Sequence, residues 1–166
     1  GGSLFISDLL TVPGASNTVL EAQITYASEA LADVVGRSDI GACSDETARK
    51  MAVGAYLRAA TLLATSGRED TDAFGFAITA SLASLTNKRG KHRAHIAMQT
   101  RTTTQTWFVE LRKGARTRDS EERVVADVAV NLLARSLGLG STPLEITTRD
   151  FVETAPADVV ALFDGS

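Results

Sequence analysis

The stretch TVPGASNTVLEAQITYASEALADVVG, residues 11–36, sets an order of elements on which a fold can be built. Pro13-Gly14 signals a turn, because proline fixes its own φ and glycine accepts a positive one. Residues 19–26, VLEAQITY, are rich in β-formers and roughly alternate, which predicts a strand. Ser28 stands ahead of the apolar pattern Leu31, Val34 and Val35, and Gly36 follows it. That is a short helix with a capping serine and a glycine stop. Turn, strand and helix in this order put Tyr26 at the carboxyl end of a strand. Open α/β sheets hold their ligands at such ends.

Upstream, Gly1-Gly2-Ser3 leads directly into Leu4, Phe5, Ile6, Leu9 and Leu10, so residues 3–11 read as a helix that starts at the glycines. Its unpaired N–H groups and dipole suit an anion. Gly-Gly-Ser also has the composition of a cloning remnant. Downstream, residues 44–65 form the strongest helical pattern. Ser44 can cap it, Asp45 and Glu46 favour its positive end, and Ala48, Met51, Ala52, Ala55, Tyr56, Ala59, Leu62 and Leu63 recur at three- and four-residue steps. Residues 73–79, AFGFAIT, read as a central strand buried on both faces.

Residues 92–100 and 103–112 predict two further strands joined by a hairpin near Arg101-Thr102, with Trp107, Val109 and Leu111 on one face and Phe108 on the other. Residues 119–137 predict a long, well-buried helix. Pro143 and Pro156 bracket a sparser tail with a possible short helix over residues 157–163. Helices alternate with strands, so the expected class is α/β, a three-layer α/β/α sandwich with a mixed, mostly parallel sheet. Residues 1–140 form the domain, and residues 141–166 read as an extension or linker.

The chain has 166 residues, the size of one domain, and a formal net charge of −3, which argues against a nucleic-acid partner. No apolar run is long enough for a membrane span, and no secretory leader precedes the first helix. A single cysteine, Cys43, cannot form an internal disulfide, and the expected compartment is the cytoplasm. His92 and His95 are three apart on a predicted strand and point to opposite faces, so they share no metal. Neither a metal nor another cofactor is expected.

The run Val12-Pro13-Gly14-Ala15-Ser16, the strand ending in Thr25-Tyr26, and the short helix closed by Gly36 resemble the C-terminal domain of the competence/damage-inducible protein CinA. Residues 41–55, GACSDETARKMAVGA, resemble that family's G-A-V-S-x-E-x-A-x-x-M-A-x-G-A, with Cys43 where the family has valine. The matches run in order from about residue 2 to residue 138. The family includes nicotinamide-nucleotide amidases, which serve NAD salvage. The resemblance therefore implies a pyridine-nucleotide substrate and hydrolysis of its carboxamide. It also implies a helix and a central strand upstream of the motif serine, and in this register both are expected to fall ahead of Gly1.

Residue by residue, the resemblance places Tyr26 in the nucleotide site as its catalytic candidate. It places Thr79-Ala80-Ser81 at a substrate-contacting turn, T-G-I-A-G-P in the family. An arginine ahead of the last helix falls on Arg116 or Arg118. Gly1, Gly2 and Ser3 fall beside the motif E-S-x-T-G-G, whose nucleophilic serine would precede Gly1. The lysine five residues after the tyrosine is Leu31 here, and leucine cannot supply a charge or a hydrogen bond. The basic run Lys88-Arg89-Gly90-Lys91-His92-Arg93 could hold a phosphate or form a solvated face. Cys43 precedes a helix N-terminus, which would lower its pKa, or is an inert small residue.

Three functions stay open. The first is an amidase-like enzyme. The second is a catalytically silent module that binds a nucleotide or phosphate and regulates a larger protein. The third is a purely structural or oligomerisation domain. A sheet lacking an interior strand exposes an edge, so a homo-oligomer or a partner segment is expected to cover it.

Overall fold

The computed structural model describes residues 1–36, 39–86, 89–140 and 148–154. Helix α1 is Ser3–Leu10, α2 is Ser28–Val35, α3 is Asp45–Thr65 and α4 is Arg118–Ser136. Strands β1, Gly75–Ser81, β2, His92–Gln99, β3, Thr103–Leu111, and β4, Thr148–Thr154, form one sheet in the order β1-β2-β3-β4. Every pairing is antiparallel.

The expected mixture of helix and strand is present, but the mostly parallel sheet is not. Parallel neighbours need a crossover of a dozen or more residues, usually a helix. Here no helix lies between β1 and β2 among the described residues, and β2 turns into β3 through residues 100–102. In that turn the Thr100 hydroxyl accepts from the Thr103 amide at 3.0 Å. Residues 19–26 are also not a strand: they run without a ladder partner. β1 is therefore an edge strand and not the central one expected from its apolar run. Beyond residue 140, β4 pairs with β3 from Thr148 to Thr154. The helix expected over residues 157–163 lies outside the described residues.

Helices lie on both faces of the sheet. On one face α1 and α4 bury Phe5, Val125, Ala126, Val128, Ala129 and Leu132 against Ala94, Ile96, Met98, Trp107, Val109 and Leu111. This is the face on which Trp107, Val109 and Leu111 were expected together. The rings of Phe5 and Phe76 stack with centroids 4.9 Å apart, which seats α1 over β1. Arg123 of α4 forms a two-pronged ion pair with Asp8 of α1. The hydrogen bond from Arg123 holds the Asp8 carboxyl below its ordinary pKa, against a smaller opposing effect of burial.

On the other face α3 packs Ala48 and Ala52 onto Ala77 and Ala97, all alanines. Small side chains on both surfaces bring helix and strand unusually near. A Cβ placed on Gly75 would lie 2.0 Å from the Ala52 carbonyl oxygen and 2.4 Å from the Tyr56 nitrogen. α3 begins as its sequence requires: the Ser44 hydroxyl accepts from the Thr47 amide at 3.1 Å, and Asp45 and Glu46 occupy the first turn. Ala55, expected in the buried stripe, is exposed instead. α2 stops where expected, at Gly36 with φ 71°, but its cap position is Ala27, and Ser28 is already helical. The Ser28 hydroxyl donates to Glu29 and leaves the helix amides uncapped by a side chain.

Gly75→Ala is expected to destabilise the domain by about 2–3 kcal/mol, because the obstructing atoms are backbone and cannot rotate aside. Gly41→Ala, where nothing lies within 4 Å, is the matched control and should change stability little. Urea denaturation midpoints of the two variants check this.

Candidate functional site

The chain gathers polar groups where β1 ends and α4 begins. Glu121, in the first turn of α4, is fully buried with 0% exposure. One carboxylate oxygen hydrogen-bonds His92 Nδ1 at 2.7 Å, and the other accepts from the Ala83 amide at 2.7 Å. One side chain thus ties α4 to the start of β2 and to the exit of β1. Its neighbour Glu122 faces the start of α1 and accepts from the Gly2 amide at 2.6 Å. Arg118, one turn earlier, donates to Glu122 at 3.1 Å and to the Ala83 carbonyl at 3.1 Å.

Gly2 caps α1 in the left-handed region, φ 95°, a backbone conformation that favours glycine. A Cβ there would also meet Ile78 at 2.7 Å. One at Gly1 would meet Leu82 at 2.6 Å, Glu122 at 3.0 Å and Ala80 at 3.1 Å. Gly1, Gly2, Ala80 and Arg118, expected in one site on separate grounds, therefore come together around Glu122. Ser3 is the exposed first residue of α1 beside them.

Other expected residues lie elsewhere. The Thr79 hydroxyl donates to the Ala42 carbonyl at 2.5 Å, which places it on the α3 face, and Ser81 shares that face by alternation. Tyr26 ends no strand and is 85% exposed on the extended segment. Among the described residues no hydrogen bond or ring contact joins Tyr26 to Thr79 or Gly2. Arg89 and Arg116 are exposed. Lys88 lies outside the described residues. Within the basic run, Lys91 pairs with Glu110 at 2.9 Å, and Arg93 donates to the Cys43 carbonyl at 3.3 Å. These two cations are directed to the chain's own acceptors.

His92 and His95 face opposite sides as expected: His92 meets Glu121 below α4, while the His95 ring lies 5.0 Å from Phe108. Burial lowers the pKa of His95, and nearby Asp45 offsets part of that. The Cys43 thiol lies between the Thr79 and Arg93 carbonyls, at 3.7 and 3.8 Å. Burial pushes its pKa up, and the Arg93 charge only partly opposes this. The helix N-terminus beside it does not make it a reactive thiolate. Among the described residues there is no cluster of three His, Cys, Asp or Glu side chains able to hold a metal ion.

Sequence reasoning passed over Glu121 and Glu122. Acidic residues near the start of a helix read as partners to the dipole, and only the fold reveals that Glu121 is wholly enclosed. Comparison with known proteins returned no relative: no family model matches the chain, and neither a curated protein nor a solved structure matches it.

Removing Glu121 strands the His92 ring and the Ala83 amide without their acceptor. Glu121→Ala should cost about 3 kcal/mol, read from thermal or chemical unfolding. Glu121→Leu combined with His92→Leu should cost less than the two single changes added together, a coupling that a double-mutant cycle measures. Cys43 should react with iodoacetamide more slowly than an exposed thiol at neutral pH. Because its pKa is raised, the rate should climb only at a more alkaline pH than for a free cysteine, which a pH series of alkylation rates checks.

Proposed function

We propose that this domain binds a small phosphate-bearing ligand of the pyridine-nucleotide kind where β1 ends, and that it does not hydrolyse the ligand's carboxamide. The observation that carries the reading is the position of Glu122. Its carboxylate takes a backbone N–H at the start of α1 and a guanidinium N–H from Arg118. Those donors are the ones a phosphate uses at a helix N-terminus. The side chain acts as an internal anion that a ligand phosphate would replace, leaving Arg118 and the α1 amides as its partners.

The resemblance to nicotinamide-nucleotide amidases supports the ligand class. The chain's own residues favour binding over hydrolysis. Leu31 stands where the resemblance calls for a lysine, and Tyr26 lies on a segment outside the sheet. A serine nucleophile needs a base or lysine to activate it, and among the described residues the exposed Ser3 hydroxyl makes no hydrogen bond to one. A pyridine-nucleotide ligand and a single, half-buried thiol suit a cytoplasmic regulatory domain. Among the described residues no helix is long and apolar enough to cross a membrane.

Isothermal titration with nicotinamide mononucleotide tests the reading, alongside an ammonia-release assay. Arg118→Ala should weaken binding about tenfold, the loss of one charge-assisted contact worth about 1.4 kcal/mol. Glu122→Gln should tighten it, because the competing negative charge is gone. No ammonia should appear above background. Ammonia release that depends on Tyr26 would establish hydrolysis instead. Absence of heat in both the native chain and Glu122→Gln would remove the ligand altogether.

A further inference from the structure

The two edges of the sheet are built differently. β4, on the far edge, has the sequence TRDFVET, which contains three charged residues. β1 has the sequence GFAITAS, with no charge and no proline, and among the described residues it pairs only with β2. In an antiparallel strand alternate residues direct N–H and C=O away from the existing neighbour. β1 therefore offers an unguarded row of donors and acceptors along its outer side.

The same chain holds an unused strand former. Residues 19–26 are extended, and among the described residues none from 20 to 26 makes a backbone hydrogen bond outside regular structure. Leu20, Ile24 and Tyr26 are 38%, 61% and 85% exposed. They alternate with Val19, Glu21, Gln23 and Thr25, so an extended pairing would put Leu20, Ala22, Ile24 and Tyr26 on one side. Phe76, Ile78 and Ala80 form the matching, partly buried apolar row on β1. The lengths agree: eight residues against the seven of β1.

In the same copy, among the described residues, the segment forms no ladder with that edge. Glu21 is held at 2.8 Å by Arg58, an exposed residue of α3 whose inward positions are Ala52, Tyr56, Ala59 and Leu63. The segment then runs directly into α2, which packs on α3 where Val34 meets Gly54. Glu21 and α2 tie it to α3 rather than to β1.

We propose that residues 19–26 of a second copy add to the free edge of β1, and that the first copy returns its own segment to the second. Such an exchange is two-fold symmetric. It pairs the free β1 edge of each copy and extends the apolar row of Phe76, Ile78 and Ala80 beyond α1. The partner is another molecule of this chain, because the chain itself presents both halves of the match. The inference does not depend on the ligand proposed for the β1 exit.

Sedimentation velocity over a concentration series should show a monomer–dimer equilibrium. Hydrogen exchange should show protection of residues 20–26 and of β1 rising together by about tenfold or more as the dimer fills. Ile24→Pro removes an N–H needed for the ladder in a segment the monomer leaves unpaired, so it should abolish the dimer with an unchanged melting temperature at low concentration. Ile24→Lys, with no backbone effect, should weaken dimerisation in the same direction. A monomer at every concentration would overturn the proposal. So would a dimer that survives both substitutions, or protection of residues 20–26 independent of concentration, which would place the segment on its own sheet or beneath another covering.

Discussion

The carboxylate of Glu121 is the joint on which three parts of the molecule depend. It lies out of water, and an enclosed carboxylate is tolerated only where its oxygens are satisfied. Here both oxygens are used, one by His92 and one by the Ala83 amide. A buried polar contact of this kind is not in itself a source of stability, since desolvation offsets much of the attraction. Its effect is positional. α4 cannot slide along the sheet without separating Glu121 from partners on two different segments. Arg118 and Glu122 are thereby held beside the N-terminus of α1, and the acceptor and donors at the β1 exit keep their places.

The two faces of the sheet solve the packing problem in different ways. Below α1 and α4, large residues interdigitate: Trp107, Met98, Ile96 and Phe76 fill the space, with Phe76 and Trp107 rings 6.2 Å apart. Below α3, alanines and Gly75 replace bulk with proximity. Close approach gives many short dispersion contacts from small groups, at the expense of any tolerance for added volume. The first face sets the core. The second fixes how near the loop carrying Cys43 comes to β1 and β2, and so why a thiol beside a helix N-terminus is nonetheless discouraged from ionising.

The helices were legible because their evidence is local. Ser44, Asp45 and Glu46 specify where α3 starts, and Gly36 specifies where α2 ends, whatever surrounds them. Strand direction is not local. AFGFAIT reads as a strand, but whether it sits at the centre or the edge depends on what approaches its second side. Alternation in VLEAQITY states a capacity for pairing and cannot name the partner. β4 was missed because Phe151 and Val152 lie among charged residues and between prolines, a pattern too sparse to outweigh a loop reading. Part of the candidate site was legible in the same uneven way. Glycines and an arginine marked the β1 exit, whereas the enclosure of Glu121 arises only when α4, β2 and residue 83 meet.

The clasp between Asp8 and Arg123 joins residues 115 apart in the chain. During synthesis α1 is made before the surface of α4 that receives it. At about 5–20 residues per second the ribosome needs roughly 6–23 s to cover that distance. For that interval Leu4, Phe5 and Leu9 have no α4 to rest against. The hairpin of β2 and β3 closes within a few residues and can form as it emerges. The nascent chain therefore carries an uncovered apolar helix behind an already pairing sheet, and this is the window in which a chaperone would meet it.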